Sequence, residues 1–155
     1  MTKNAAELAL EEASRALSER RFADAIPLAE AALVGPLDRN VPPSERGERY
    51  DLPERSLAHH ILGTAHLELG DRKRAIAAWR AVVALVPKSV WARHELSDIL
   101  VRDDRGEMKT KRDKEGDEGR ALLQATALEG SDSGAGNLLE SLDAVAGWAD
   151  IIRFA

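Results

Sequence analysis

Histidine is the residue type in this chain best suited to metal binding or proton transfer, and the sequence contains four of them. His94 and Asp98 are four residues apart, so on a helix they would lie on one face, one turn apart. Together with His60 they would supply two imidazoles and a carboxylate, a set of donors that suits zinc or a similar ion. A small metal-dependent enzyme is therefore one hypothesis, and stoichiometric retention of a metal would distinguish it from the others.

No other pattern typical of catalysis accompanies the histidines. The chain has no cysteine, which excludes disulfides, thiolate catalysis and thiolate-bound metals. It has no glycine-rich phosphate loop, no serine nucleophile signature and no pair of carboxylates in an apolar setting. The abundant acidic residues occur in charged stretches, where solvent exposure is the simplest expectation. The sequence therefore predicts a non-enzymatic protein with no catalytic residue, no cofactor and no metal site.

Helical periodicity organises the first part of the chain. Asn4 with Glu7 forms a capping box, and apolar residues at helical spacing predict a first helix that ends near Glu19. A second helix is expected from Phe22 to Leu33, where a glycine and a proline follow and end it.

The stretch 56–87 combines two amphipathic helices and a tight turn in one unit. It reads His59-x-x-Leu62-Gly63-x-x-His66, then Gly70-Asp71, then Ala75-x-x-x-Trp79, and finally Pro87. This pattern resembles the tetratricopeptide repeat, in which small residues let two antiparallel helices approach and an aromatic wedge and a closing proline fix their angle. Two histidines stand where the family usually has aromatic residues, and a tryptophan replaces its phenylalanine wedge.

The resemblance implies an all-α fold of about three stacked antiparallel helical hairpins over residues 1–129. Superposing Ala25 on Ala75 makes the first two helices a degenerate first repeat. After the closing proline, Ser89 can cap a helix that begins a third repeat. In that alignment His60 and His94 occupy equivalent places in successive repeats.

An insertion separates the first two repeats near 39–54. Its prolines and glycine predict an extended loop, with Asp51 and Glu54 available to cap the next helix. A solvated connector is the simpler interpretation of this loop. The alternative makes it a contact surface formed by Arg46, Arg49 and Tyr50.

A second insertion near 102–119 interrupts the third repeat. Its acidic and basic residues alternate almost without apolar content, which favours a disordered, solvated loop over a surface for a charged partner. The partner helix is then expected from Arg120 to Leu128. Ala121 and Ala125 should form its core face, by analogy with the middle repeat.

The last part of the sequence contains a short linker and an apolar helix. Residues 130–136 are small and polar, as in flexible linkers. Residues 137–155 predict a helix whose apolar side chains cover more than half of its circumference. We expect it to cap the open end of the repeats. It could instead occupy the groove of its own chain or form a homodimer contact.

The family also implies a binding surface, because its ligands lie against the first helix of each hairpin. The corresponding positions are mostly apolar with a few polar groups, which favours an amphipathic helix or an extended apolar peptide with some positive charge. They lack the lysine and asparagine pattern of members that bind terminal carboxylates. The expected groove residues are Leu10, Ser14, Leu57, His60, Thr64, Leu67, Trp91, His94 and Asp98.

Composition is consistent with an adaptor or scaffold that binds other proteins. The formal net charge of −5 argues against nonspecific nucleic-acid binding, which depends on cationic groups. The sequence has no apolar run long enough to cross a bilayer and no apparent export signal, so we expect no membrane association and a cytoplasmic location. The alternative from another class is a homo-oligomerisation module that uses the C-terminal helix.

Overall fold

The computed structural model describes residues 2–38 and 53–129, and these residues form an all-α fold, as predicted. Apart from one isolated bridge between Arg102 and Met108, they contain no β-structure. The chain divides into two compact units, of which the first extends to Ala92 and the second begins at Arg93. The six helices of the described residues are α1 Ala5–Ser18, α2 Phe22–Leu33, α3 Glu54–Glu68, α4 Arg72–Leu85, α5 Val90–Leu100 and α6 Lys114–Glu129.

Helices α1 and α2 form an antiparallel hairpin with the bounds that the sequence predicts. The capping box is present: the Glu7 amide donates to Asn4 Oδ1 at 2.8 Å, and the Asn4 amide donates to Glu7 Oε1 at 2.9 Å. Asn4 Nδ2 also donates to the carbonyl of Pro36 at 2.9 Å, which joins the start of α1 to the end of α2. At the same end Gly35 lies against Ala6, where a Cβ on the glycine would be 2.5 Å from that of the alanine.

Helices α3 and α4 form the second hairpin, and α3 packs against α2 and contacts α1. Gly63 on α3 faces the indole of Trp79 on α4, which is only 2% exposed, as expected for a core wedge. When Ala25 is superposed on Ala75, the buried positions of α2 and α4 also match, because the residues four and seven positions later are buried in both helices. These buried residues are Ala25, Ala29 and Ala32 in α2, and Ala75, Trp79 and Val82 in α4.

The start of α3 is capped by a residue far away in the sequence. Asp38 Oδ1 accepts from the Glu54 amide, and Asp38 Oδ2 accepts from the Arg55 amide at 3.2 Å. Glu54 Oε1 in turn accepts from the Asp38 amide at 2.8 Å. Asp38 thus caps the start of α3, where the packing of α2 on α3 places its carboxylate. The sequence pattern predicted Asp51 and Glu54 for this role, and Asp51 lies outside the described residues.

The residues from Ser89 onwards, which include the second unit, are more ordered than the alternating charges of residues 102–119 indicated. Ser89 caps α5 as predicted, since the Ala92 amide donates to its Oγ at 3.1 Å. After α5 the chain makes a tight turn, in which the Lys109 amide donates to the Val101 carbonyl at 3.0 Å and Asp103 accepts from two backbone amides. The prediction of a disordered loop over 102–119 was therefore wrong. Local capping by Asp103 and a series of ion pairs order this segment.

Helix α6 begins six residues earlier than predicted, at Lys114 instead of Arg120. Asp113 is its cap, and Asp113 Oδ1 accepts from the Gly116 amide at 2.7 Å. Gly119 lies inside α6, where it allows close packing: a Cβ there would be 3.0 Å from Leu100 Cβ. This contact turns a different face of α6 inward. Ala121 and Ala125 are exposed, so the prediction that they form the core face was wrong. The buried residues of α6 include Gly119, Arg120, Leu123 and Thr126.

Several predictions lie outside the described residues. They include most of the 39–54 insertion with Arg46, Arg49 and Tyr50, the linker 130–136, and the C-terminal helix 137–155. The division into repeat domain, linker and terminal helix stays a prediction. Within the residues described, no helix combines the length and the apolar character needed to cross a membrane.

Candidate functional site

A groove of about 500 Å³ runs along α1 and reaches the start of α3. Three of the residues expected to contact a partner lie in it: Leu10, Ser14 and Leu57. Leu10 is only 4% exposed, so it belongs to the core and forms the base of the groove, whereas the sequence pattern predicted an exposed position. The lining residues are Lys3, Glu7, Leu10, Glu11, Ser14, Arg15, Ser18, Glu54 and Leu57.

Charged side chains surround this groove, and the sequence analysis did not include most of them. Lys3 Nζ and Glu11 Oε2 form an exposed ion pair at 2.6 Å. Their hydrogen bond and mutual charge lower the pKa of Glu11 and raise that of Lys3. The signal was present in the sequence, because Glu7, Glu11 and Arg15 follow one another at intervals of four residues and so share the groove face of α1.

Two carboxylates of the groove are also part of the fold. Glu7 closes the capping box of α1, and Glu54 accepts from the amide of Asp38. Both side chains are therefore fixed by backbone hydrogen bonds near the groove. Their negative charges lie at the amino-terminal ends of α1 and α3, where the helix dipole stabilises anions.

Two other predicted groove residues, His60 and Trp91, instead form an aromatic cluster with Trp79, and a third, Thr64, contacts His60. The ring centroids of His60 and Trp91 are 5.1 Å apart, and each lies 5.3 Å from Trp79. Thr64 Oγ1 is 3.3 Å from His60 Nδ1. His60 and Trp91 are half-buried, so these rings hold the start of α5 against α3 and α4.

The remaining predicted residues lie elsewhere. Leu67 is 43% exposed near the end of α3. His94 and Asp98 are half-buried on α5, and Asp98 Oδ1 accepts from Arg102 Nε at 3.0 Å. Across residues 2–38 and 53–129, no group of three or more histidine and acidic side chains is arranged to hold a metal ion.

A second, smaller pocket of about 270 Å³ lies among α2, α3 and α4. The sequence analysis expected His59 and His66 to pack within the hairpin, but both are half-buried and line this pocket. Burial and, to a lesser extent, the charge of Arg55 lower the pKa of His59 below its ordinary value of 6.5. The walls of the pocket are formed by Glu30, His59, Leu62, His66, Arg74, Ala77 and Ala78.

No protein-family model matches the chain, and no significant match is found among curated proteins or solved structures. The resemblance to the tetratricopeptide repeat therefore depends on the chain's own residues alone.

Proposed function

We propose that this protein is a non-enzymatic adaptor of tetratricopeptide-like hairpins that binds a segment of another protein along α1 and α3. The observation that carries the proposal is the groove of about 500 Å³ on those two helices. It combines an apolar base with charged walls, as expected for a surface that anchors apolar side chains and orients them by charge.

The packing of the first unit supports this proposal. Helices α1 and α3 are the first helices of their hairpins, and they contact each other while α2 and α4 cover other faces. Matching positions of α2 and α4 are buried, with Ala25, Ala29 and Ala32 in α2 and Ala75, Trp79 and Val82 in α4, so the second helices of the two hairpins turn equivalent faces inward. Such an arrangement leaves one face of the first helices free to bind a partner.

The charges of the groove favour a partner segment with both apolar and basic residues. Leu10 and Leu57 offer apolar contact, and the surrounding side chains comprise three carboxylates and two cations. An amphipathic helix or an extended peptide fits this surface when apolar anchors meet the leucines and a lysine or arginine meets the glutamates. A cytoplasmic location is part of the proposal.

Replacing Ser14 by arginine would test this proposal, because the exposed serine lies inside the groove. S14R should fill the groove and place a positive charge against a basic partner, so retention of that partner from a native lysate should fall strongly. A31R is the matched control, since Ala31 is an exposed position on α2 outside the groove. Quantitative mass spectrometry of the proteins bound to each bait gives the comparison.

A partner that S14R and A31R retain equally would place binding outside the groove. Light scattering on the same baits tests the alternative function. If no protein is retained and the mass of the bait rises with concentration, the chain is a homo-oligomerisation module.

A further inference from the structure

We propose that the small pocket among α2, α3 and α4 is a binding site for a neutral hydroxylated aromatic ring. The site is separate from the proposed groove, because none of its lining residues is shared with it. The proposal depends on the size of the pocket, on its apolar floor and on the two imidazoles that face it.

The size of the pocket limits the ligand to about one ring. Its volume of about 270 Å³ is just below the range of about 300–1,000 Å³ that is typical of sites for drug-sized ligands. The floor is apolar, since Leu62 and Ala78 are buried there and Ala77 adds a methyl group. A planar ring would bury one face against these side chains and gain the usual free energy of apolar contact.

The polar side chains select for a hydroxyl group on that ring. The imidazoles of His59 and His66 have no hydrogen-bond partner within the described part of the chain, although both residues are half-buried. They are seven residues apart on α3, so they lie about 10 Å apart along the helix, one towards each end of the pocket. A neutral imidazole both donates and accepts a hydrogen bond, as a phenolic hydroxyl also does.

The charges around the pocket disfavour an anionic ligand. Glu30 contributes a carboxylate to the wall, and it would repel a negatively charged group. The guanidinium of Arg74 is already paired with Asp71, with Nε and Oδ2 3.5 Å apart. The lowered pKa of His59 keeps its ring neutral at pH 7.5, so this imidazole adds no compensating positive charge.

Titration of the full-length protein at pH 7.5 with three small probes tests this site. The probes are p-cresol, toluene and p-toluate, which share a methylated ring and differ in the hydroxyl or carboxylate. Histidine Cε1–H signals in NMR spectra report binding, and H59Q and H66Q assign them. We expect p-cresol to shift the signals of His59 and His66 saturably, with toluene and p-toluate binding at least about tenfold more weakly, a difference of about 1.4 kcal/mol.

A blocking variant and its matched control locate the binding site. A77L should raise the Kd for p-cresol about tenfold or more by filling the pocket. A84L makes the same change at another exposed position of α4, outside the pocket, and should leave the Kd unchanged. Circular dichroism checks that both variants keep their helicity.

Three results would overturn the proposal: no shift of either histidine at saturating p-cresol, equal binding of toluene or p-toluate, or unchanged binding in A77L. Failure of this site leaves the groove proposal untouched, because S14R and A77L alter different surfaces. If p-cresol binds as expected, N-acetyl-tyrosinamide shows whether a tyrosine side chain can enter as well as a free phenol.

Discussion

At the scale of single residues, Gly63 is the position that most tightly constrains the first unit. A Cβ on this glycine would be 2.6 Å from Trp79 Nε1 and 2.7 Å from Trp79 Cδ1. Because Trp79 also contacts His60 and Trp91, the indole cannot move without disturbing the whole aromatic cluster. The glycine thus allows the close approach of α3 and α4 that the sequence motif predicted.

Gly63→Ala should therefore destabilise the protein although alanine favours helices. Overpacking of a core typically costs about 1–3 kcal/mol, and the better helix propensity of alanine recovers only about 1 kcal/mol of it. Urea unfolding followed by circular dichroism measures the change. The control is the same glycine substitution made in a W79F protein. The smaller phenylalanine ring should reduce the cost of the added methyl group. An equal cost in both backgrounds would show that the tryptophan is not the obstacle.

At the scale of elements, the junction between α2 and α3 is held by reciprocal capping. Asp38 accepts from the first amides of α3, while Arg55 donates to the carbonyls of Leu33 and Gly35 at the end of α2, at 3.0 and 3.3 Å. Each helix therefore satisfies the free backbone groups of the other. These contacts hold the end of α2 and the start of α3 together.

Replacing Asp38 should weaken this junction. Its φ of 61° lies in the left-handed region, where asparagine and glycine are tolerated. D38G removes the cap but relaxes the backbone, so it should cost roughly a few tenths of a kcal/mol of unfolding free energy. D38N keeps a carbonyl oxygen that can accept from the Glu54 amide, so its stability should fall between those of D38G and the wild type. Chemical denaturation of the three proteins gives the order, and a D38G variant as stable as the wild type would contradict the capping role.

Elements whose signals are local could be predicted from the sequence, and those that depend on tertiary contacts could not. Asn4 and Ser89 act on amides three residues away, so their spacing was sufficient. Asp38 acts on a helix that begins sixteen residues later. Gly119 breaks the helical pattern, and only its contact with Leu100 explains why α6 continues through it.

The same distinction applies to the candidate site. Leu10, Ser14 and Leu57 are selected by the repeat alignment and line the groove, although Leu10 is buried at its base and not exposed as the alignment predicted. Their role in binding a partner stays a prediction. The role of Trp91 depends on where the start of α5 lies in three dimensions, which one sequence does not give. The pocket beside His59 and His66 was missed because imidazoles fill less space than the aromatic rings usual at these positions.

At the scale of the whole molecule, the first unit contains a complete core of its own. Its central cluster of buried residues extends from Leu10 on α1 to Ala78 on α4 and, among the described residues, includes none after Ala92. The aromatic cluster also belongs to the first unit, since Trp91 precedes the boundary at Ala92. A chain of this length is long enough to bury the apolar surface that independent folding requires.

A fragment of residues 1–92 should therefore fold alone and unfold cooperatively. Thermal melts followed by far-ultraviolet circular dichroism would measure cooperativity, and the near-ultraviolet spectrum would report whether Trp79 and Trp91 remain packed. A fragment of residues 1–71 is the control: it lacks α4, so α3 loses its contacts with Ile76 and Trp79, and its melt should be broad. A broad melt for 1–92 as well would mean that the first unit needs residues after Ala92, and binding by the groove would then have to be studied only in the full chain.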